Sequence, residues 1–189
     1  LLSVFSAVYG YIECAGPRAF VLWSSVKREL MMMVDVAPLM FTKLTDIWFN
    51  RVIATDASSS GQGIVSSVSP NGKPDLNLVT DPSSVSWTTI ISSKWQRKEH
   101  INVLETRAVS TAVRWILSFP RSIGCRVAIL LDSMVAMSSI IKGRSSSPLL
   151  LPRLRQLASL VLASGLRLFL HWVPSEMNPA DHPSRAYEF

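Results

Sequence analysis

The chain has 189 residues, is 48% hydrophobic and 17% charged, and carries a net charge of +6 at neutral pH. A chain this apolar buries enough surface to offset its ordering entropy, which excludes disorder. With 8 Gly, 11 Pro and 2 Cys (Cys14 and Cys125) it is neither low-complexity nor a disulfide scaffold.

The length suits one domain with an appendage. The basic surplus fits a nucleic acid, an anionic membrane face, or no particular partner. No run reaches the ~18 uncharged apolar residues of a spanning helix. Residues 1–12 stop at Glu13, and 156–166 lie between Arg155 and Arg167. No membrane association is therefore expected, and two cysteines suit a reducing, intracellular compartment. The missing initiator Met suggests a piece of a longer polypeptide.

Residues 1–50 show helix-like apolar clustering. Val26, Leu30, Met33 and Val34 fall at helical spacing, and Pro38 closes the stretch. Met31, Met32 and Met33 read as core packing, because Met fills irregular gaps.

Beyond residue 50 the pattern becomes α/β. The run 51–55 is β-rich and ends on Asp56; 58–63 is a turn, and 64–68 returns as a strand. Pro70, Asn71 and Gly72 mark another turn. Residues 76–80 and 85–93 read as further strands. Residues 102–119 carry one broad apolar face of a helix, with Asn102 at its N-cap and Glu105 completing a capping box. The apolar run 126–131 predicts a strand buried on both faces and ends on Asp132. Helices are predicted over 133–142 and 149–164, a last strand over 166–173 and a polar tail over 174–185. This order implies a mixed sheet, part antiparallel meander and part parallel strands joined by helical crossovers.

Asp56 and Asp132 end strands, Glu105 opens the long helix, and Asp181 follows the last strand. Each has an ordinary explanation alone: a turn or N-cap Asp, a capping Glu, a solvated loop acid. Together, strand-end carboxylates suit hard divalent cations. Two such ions roughly 4 Å apart clamp the attacking and leaving oxygens of a phosphoryl displacement.

Four segments carry a resemblance. T-D-A-S-S-S-G-Q-G (55–63), H-I-N-V-L-E-T-R-A-V (100–109), L-L-D-S (130–133) and W-V-P-S-E-M-N-P-A-D-H-P-S-R (172–185) resemble, in order, the acidic motifs of the ribonuclease H domain of retroelement reverse transcriptases. I-I-K-G-R-S-S-S-P-L-L (140–150) looks like the segment after the third acid in DIRS-type elements, among the DIRS-type and LTR-like retrotransposons. Residues 1–50 are similar to the helical connector, or thumb-like segment, between polymerase and nuclease, leaving 51–189 as the ribonuclease H-like domain.

The resemblance implies an α/β fold with a mixed five-stranded sheet and helices on both faces, preceded by a short helical segment. It implies hydrolysis of the RNA strand of RNA–DNA hybrids, and a covalently linked reverse transcriptase domain as partner. Asp56, Glu105, Asp132 and Asp181 would ligate two Mg²⁺ ions, with Mn²⁺ as substitute. Two departures stand out. The loop Ser175-Glu176-Met177 lacks the His often found before the last Asp of cellular ribonucleases H, and Pro183 replaces a common Leu. His171 reads as structural and His182 as a surface residue. A catalytically silent nucleic-acid-binding module is the alternative, and an integrase or resolvase on the same fold is a third reading.

No acidic residue occurs between Asp132 and Glu176, where Lys142, Arg144, Arg153, Arg155 and Arg167 lie. Lys94, Arg97 and Lys98 flank Trp95 ahead of the long helix. These predict backbone-phosphate contacts. Ser58, Asn102, Ser133, Lys142, Arg144, Asn178 and Arg185 are the candidate contacts to sugar or phosphate near the carboxylates.

Overall fold

The computed structural model describes residues 5–15, 21–41, 43, 45–69 and 81–188. Two helices come first, α1 (Ser6–Ala15) and α2 (Ser24–Val36). The α1 N-terminus is capped from α2: the backbone N–H groups of Ala7 and Val8 donate to the two carboxylate oxygens of Glu29, both at 2.9 Å. Those amides have no partner inside their own helix, and an anion there also meets the positive end of its dipole. The methionine triplet does not pack in a core. Met31 and Met32 are 61% and 44% exposed, and Val26 is the one buried residue of α2. Helical spacing alone does not say which face finds a partner.

The rest builds one sheet. Its strands are β1 (Trp48–Ala57), β2 (Gly61–Val68), β3 (Thr88–Lys94), β4 (Arg126–Leu131) and β5 (Arg167–Trp172), in the order β3-β2-β1-β4-β5. The first three pair antiparallel, and β4 joins β1 and β5 in parallel. The parallel joints need crossovers. These are α3 (Ile101–Leu117) before β4, and α4 (Met134–Lys142) with α5 (Leu151–Ser164) after it. A short helix, α6 (Asp181–Arg185), closes the described chain. The sheet is the mixed five-stranded one expected. β1 starts at Trp48 rather than residue 51, and Phe49 is already in the core. The turn at 70–72 and the strand expected over 76–80 lie outside the described residues.

Strand alternation sorts the core. Ile53, Ile64, Ile129 and Leu131 face α3 and α5, meeting Val109, Val113, Ile116 and Leu157. Val52, Ala54, Val65, Ala128 and Leu130 take the other face, against Val173 and Ala180 beside α6. Each buried Val, Ile or Leu contributes roughly 1.5–3 kcal/mol relative to exposure. The sheet is thus held rigidly, and the residues at its strand ends inherit that rigidity.

The start of α3 differs from its predicted form. His100 is the N-cap, its Nδ1 accepting the Asn102 N–H at 3.2 Å, so Asn102 lies inside the helix. Glu105 is buried on the sheet-facing side and makes no capping box. Its neighbour Leu104 packs on Ala57, which directs this turn at the end of β1. α4 begins as read from the sequence, with Ser133 Oγ accepting the Ala136 N–H at 3.3 Å. It ends at Gly143, whose φ of 61° suits a residue without a Cβ.

Candidate metal centre

Asp56 stands near the end of β1, Asp132 just past the end of β4, and Glu105 in the first turns of α3. β1 and β4 are parallel neighbours, so their C-terminal ends coincide. One carboxylate oxygen from each of Asp56, Glu105 and Asp132 lies within 4.8 Å of the others. At this spacing the ionised carboxylates would repel one another, and Asp56 and Glu105 are largely shielded from water. Asp56 is 4% and Glu105 6% exposed.

The electrostatic consequence is large. Burial, then the charges of Asp132 and Asp181, push the Asp56 carboxyl up to about 6, against a hydrogen bond from Ser184 that lowers it. Burial, with Asp56 and Asp132 adding repulsion, pushes Glu105 up to about 9. Both shifts disfavour the charged form, as desolvation and like charges do. Glu105 Oε2 and Asp132 Oδ1 are buried atoms with no hydrogen-bond partner among the described residues. An unsatisfied buried carboxylate oxygen is costly and calls for a bound species. The donors are hard oxygens only, which suits a hard divalent cation over softer metals. On donor chemistry and orphaned oxygens the three residues fit a divalent ion.

Glu105 accepts from the Ala57 backbone N–H, and serines hold one oxygen of each aspartate. Ser184 donates to Asp56 Oδ2, and Ser175 donates to Asp132 Oδ2. Trp172 Nε1–H donates to the Asp132 carbonyl at 2.9 Å. Neither serine was a candidate from the sequence. Both lie in the segment that flanks Asp181, which was the available signal.

Asp181 opens α6 near enough to raise the Asp56 carboxyl, but it is outside the three-residue cluster. Its Oδ1 accepts from Arg185 Nε at 2.8 Å. Arg185 is thus an exposed ion-pair partner of Asp181. Ser58 and Asn178 are buried and bonded within the fold. Ser58 Oγ donates to the Ser184 carbonyl at 2.9 Å. Asn178 Nδ2 donates to the Thr55 carbonyl, and its Oδ1 accepts from the Ala180 N–H, both at 3.1 Å. They anchor α6 and face the interior, in place of the expected nucleic-acid contact. Asn102 and Ser133 are half-exposed, and Lys142 and Arg144 are exposed. Arg144 lies over the Tyr9 ring at 5.3 Å. His171 is half-buried and desolvation lowers its pKa, while His182 is exposed.

The basic stretch is less open than the sequence suggests. Arg153 pairs with Glu99 at 2.9 Å, and Arg167 with Asp46 at 2.9 Å. Arg107 also binds Glu99 and stacks over Trp95 at 4.6 Å.

No family model and no curated protein matches the sequence. Solved structures do match. A ribonuclease H1 isolated from compost by a metagenomic approach superposes with a TM-score of 0.52 at 18% identity, covering 71% of this chain and 91% of that one. The same LC11 enzyme in complex with an RNA/DNA hybrid gives 0.48 at 18% identity, with 70% and 91% covered. The N-terminal ribonuclease H domain of a Mycobacterium tuberculosis protein, solved as a fusion with maltose-binding protein, gives 0.47 at 19% identity, with 75% and 96% covered. The first of these likenesses, with the strand order, shows the ribonuclease H fold.

Proposed function

We propose that the chain is a divalent-metal-dependent endonuclease that hydrolyses the RNA strand of RNA–DNA hybrids. The observation that carries this reading is the convergence of Asp56, Glu105 and Asp132, with orphaned oxygens, at the strand ends of a ribonuclease H fold. These three residues would hold the ions, and Asp181 would join as fourth ligand by exchanging Arg185 for metal. When bound, two Mg²⁺ ions supply Lewis-acid stabilisation and a more acidic water. The reaction adds water across a P–O3′ bond and leaves a 3′-hydroxyl and a 5′-phosphate.

The chain's own groups do the rest. Ser175 and Ser184 hold the outer oxygens of Asp132 and Asp56, so the carboxylates keep one orientation. Asn102, Ser133, Lys142 and Arg144 supply hydrogen bonds and positive charge to sugar and phosphate at the rim. Hybrid recognition through A-like shape and 2′-hydroxyls needs no base-edge contact.

The four ordered motifs support a retroelement reverse transcriptase as the parent protein. Residues 1–50 would be its helical connector, the covalently linked polymerase its main partner, and the cell interior its compartment. α1 and α2 support a helical connector by their form and by the apolar side chains they leave exposed.

A cleavage assay tests the activity. RNA–DNA hybrid should be cut in Mg²⁺, and double-stranded RNA and DNA should not. Asp132→Asn should lower the rate by more than about 100-fold, since even groups that only orient ligands are worth 10–100-fold. Tight hybrid binding without cleavage in Mg²⁺ or Mn²⁺ would instead support a silent binding module.

A further inference from the structure

We propose that Ser184 is a positioning residue of the metal centre: its hydroxyl aims the Asp56 carboxylate and ties it to the helix that carries Asp181. The inference rests on reading the carboxylates as a metal site. Ser184 is fully buried, and its Oγ–H donates to Asp56 Oδ2. The Asp181 carbonyl lies 2.8 Å from the same Oγ. A hydroxyl has one proton, and a carboxylate is the stronger acceptor, so the bond goes to Asp56. With Oδ2 held, Asp56 cannot rotate without losing that bond, and its other oxygen is the one left for an ion.

Ser184 itself is fixed on every side. Its N–H donates to the Ala180 carbonyl at 3.1 Å, and its own carbonyl accepts from Ser58. A Cβ on Gly63 of β2 would stand 2.7 Å from its nitrogen, so the helix rests on bare strand backbone. Other bonds dock the same segment without touching any carboxylate. Ser92 Oγ donates to the Pro183 carbonyl at 2.8 Å, and the Tyr187 hydroxyl to the Ser92 carbonyl at 2.8 Å. Docking and aiming are therefore separable by mutation.

The experiment compares Mn²⁺ binding by calorimetry in the wild-type chain, Ser184→Ala and Ser92→Ala, with far-UV circular dichroism as a fold check. Aiming predicts that Ser184→Ala weakens Mn²⁺ binding about 10- to 100-fold, while Ser92→Ala binds as wild type. In hybrid cleavage, Ser184→Ala should lower kcat with KM little changed. Wild-type Mn²⁺ affinity in Ser184→Ala overturns the proposal, as does an equal loss in Ser92→Ala, which would assign the effect to docking. If Ser184→Ala does not fold, Ser184→Cys keeps the volume with a weak donor. It should also bind Mn²⁺ more weakly, and wild-type affinity there overturns the proposal. Failure of the wild-type chain to bind Mn²⁺ overturns the metal reading itself, a separate result from any difference between variants.

Discussion

Glu105 shows what one buried side chain does to the whole chain's pH response. Its carboxyl and that of Asp56 keep their protons to about 9 and about 6 in the folded state, against ordinary values of 4.5 and 3.8. Between those limits the folded state binds more protons than the unfolded one. The unfolding free energy therefore falls as pH rises across that window. Stability from the protonated pair is fully present below about pH 4 and is lost through about 9. Thermal unfolding in a chelator should show the midpoint dropping from about pH 5 to about pH 9. Glu105→Gln should flatten the upper part of that decline, because only Asp56 then titrates. Saturating Mg²⁺ should raise the wild-type midpoint most at high pH, because it binds the ionised form and stabilises by mass action. A midpoint independent of pH in the chelator would contradict the buried, mutually repelling arrangement.

At the scale of an element, α6 is a five-residue helix too short to be stable alone. It exists because β2 leaves room for it. A Cβ on Gly63 would lie 2.3 Å from the Ala180 carbonyl, and one on Gly61 2.8 Å from that of Ser184. Backbone atoms of a packed segment cannot yield by that distance without shifting the helix. Gly63→Ala should therefore cost about 1–3 kcal/mol, read as a lower urea midpoint with an unchanged slope. Hybrid cleavage should fall with it, because Ser184 and Asp181 move with α6. Local turn chemistry reads G-Q-G as a turn. Its glycines lie in a strand, and what they accommodate arrives more than 110 residues later.

For the whole molecule, the +6 charge is distributed unevenly. Three acids gather at one end of the sheet, and part of the basic excess is internal. Arg153 and Arg167 form ion pairs with Glu99 and Asp46, which leaves them poor candidates for phosphate binding. Such partly exposed pairs are individually worth about 1 kcal/mol or less, so their effect is on where charge is presented. Lys142, the last residue of α4, and Arg144, two residues beyond it, remain exposed, and α4 begins two residues past Asp132. In an Asp132→Asn background, hybrid affinity should fall steeply with salt. Replacing Lys142 and Arg144 by Ala should make the log–log slope shallower by about one for each phosphate no longer neutralised, across hybrid sequences alike. Fluorescence anisotropy over a salt series measures it, and an unchanged slope would remove both residues from the interface.

The sequence by itself determined the order of the elements, the mixed sheet and the identity of the acidic residues. Hydrophobic periodicity and turn chemistry are local, and strands such as 126–131 carry that information in their own residues. Only the tertiary structure decided which acids meet. Asp56, Glu105 and Asp132 converge because parallel pairing of β1 with β4 brings two strand ends beside the start of α3. Glu105 read locally as a capping residue, and burial against the sheet gave it a different partner set. Asn178 and Ser58 read as contacts to sugar or phosphate, yet docking of α6 buried both. Met31 and Met32 read as core, yet no described element covers them. In each case the local pattern fixed the kind of side chain, and the long-range packing fixed what it faces.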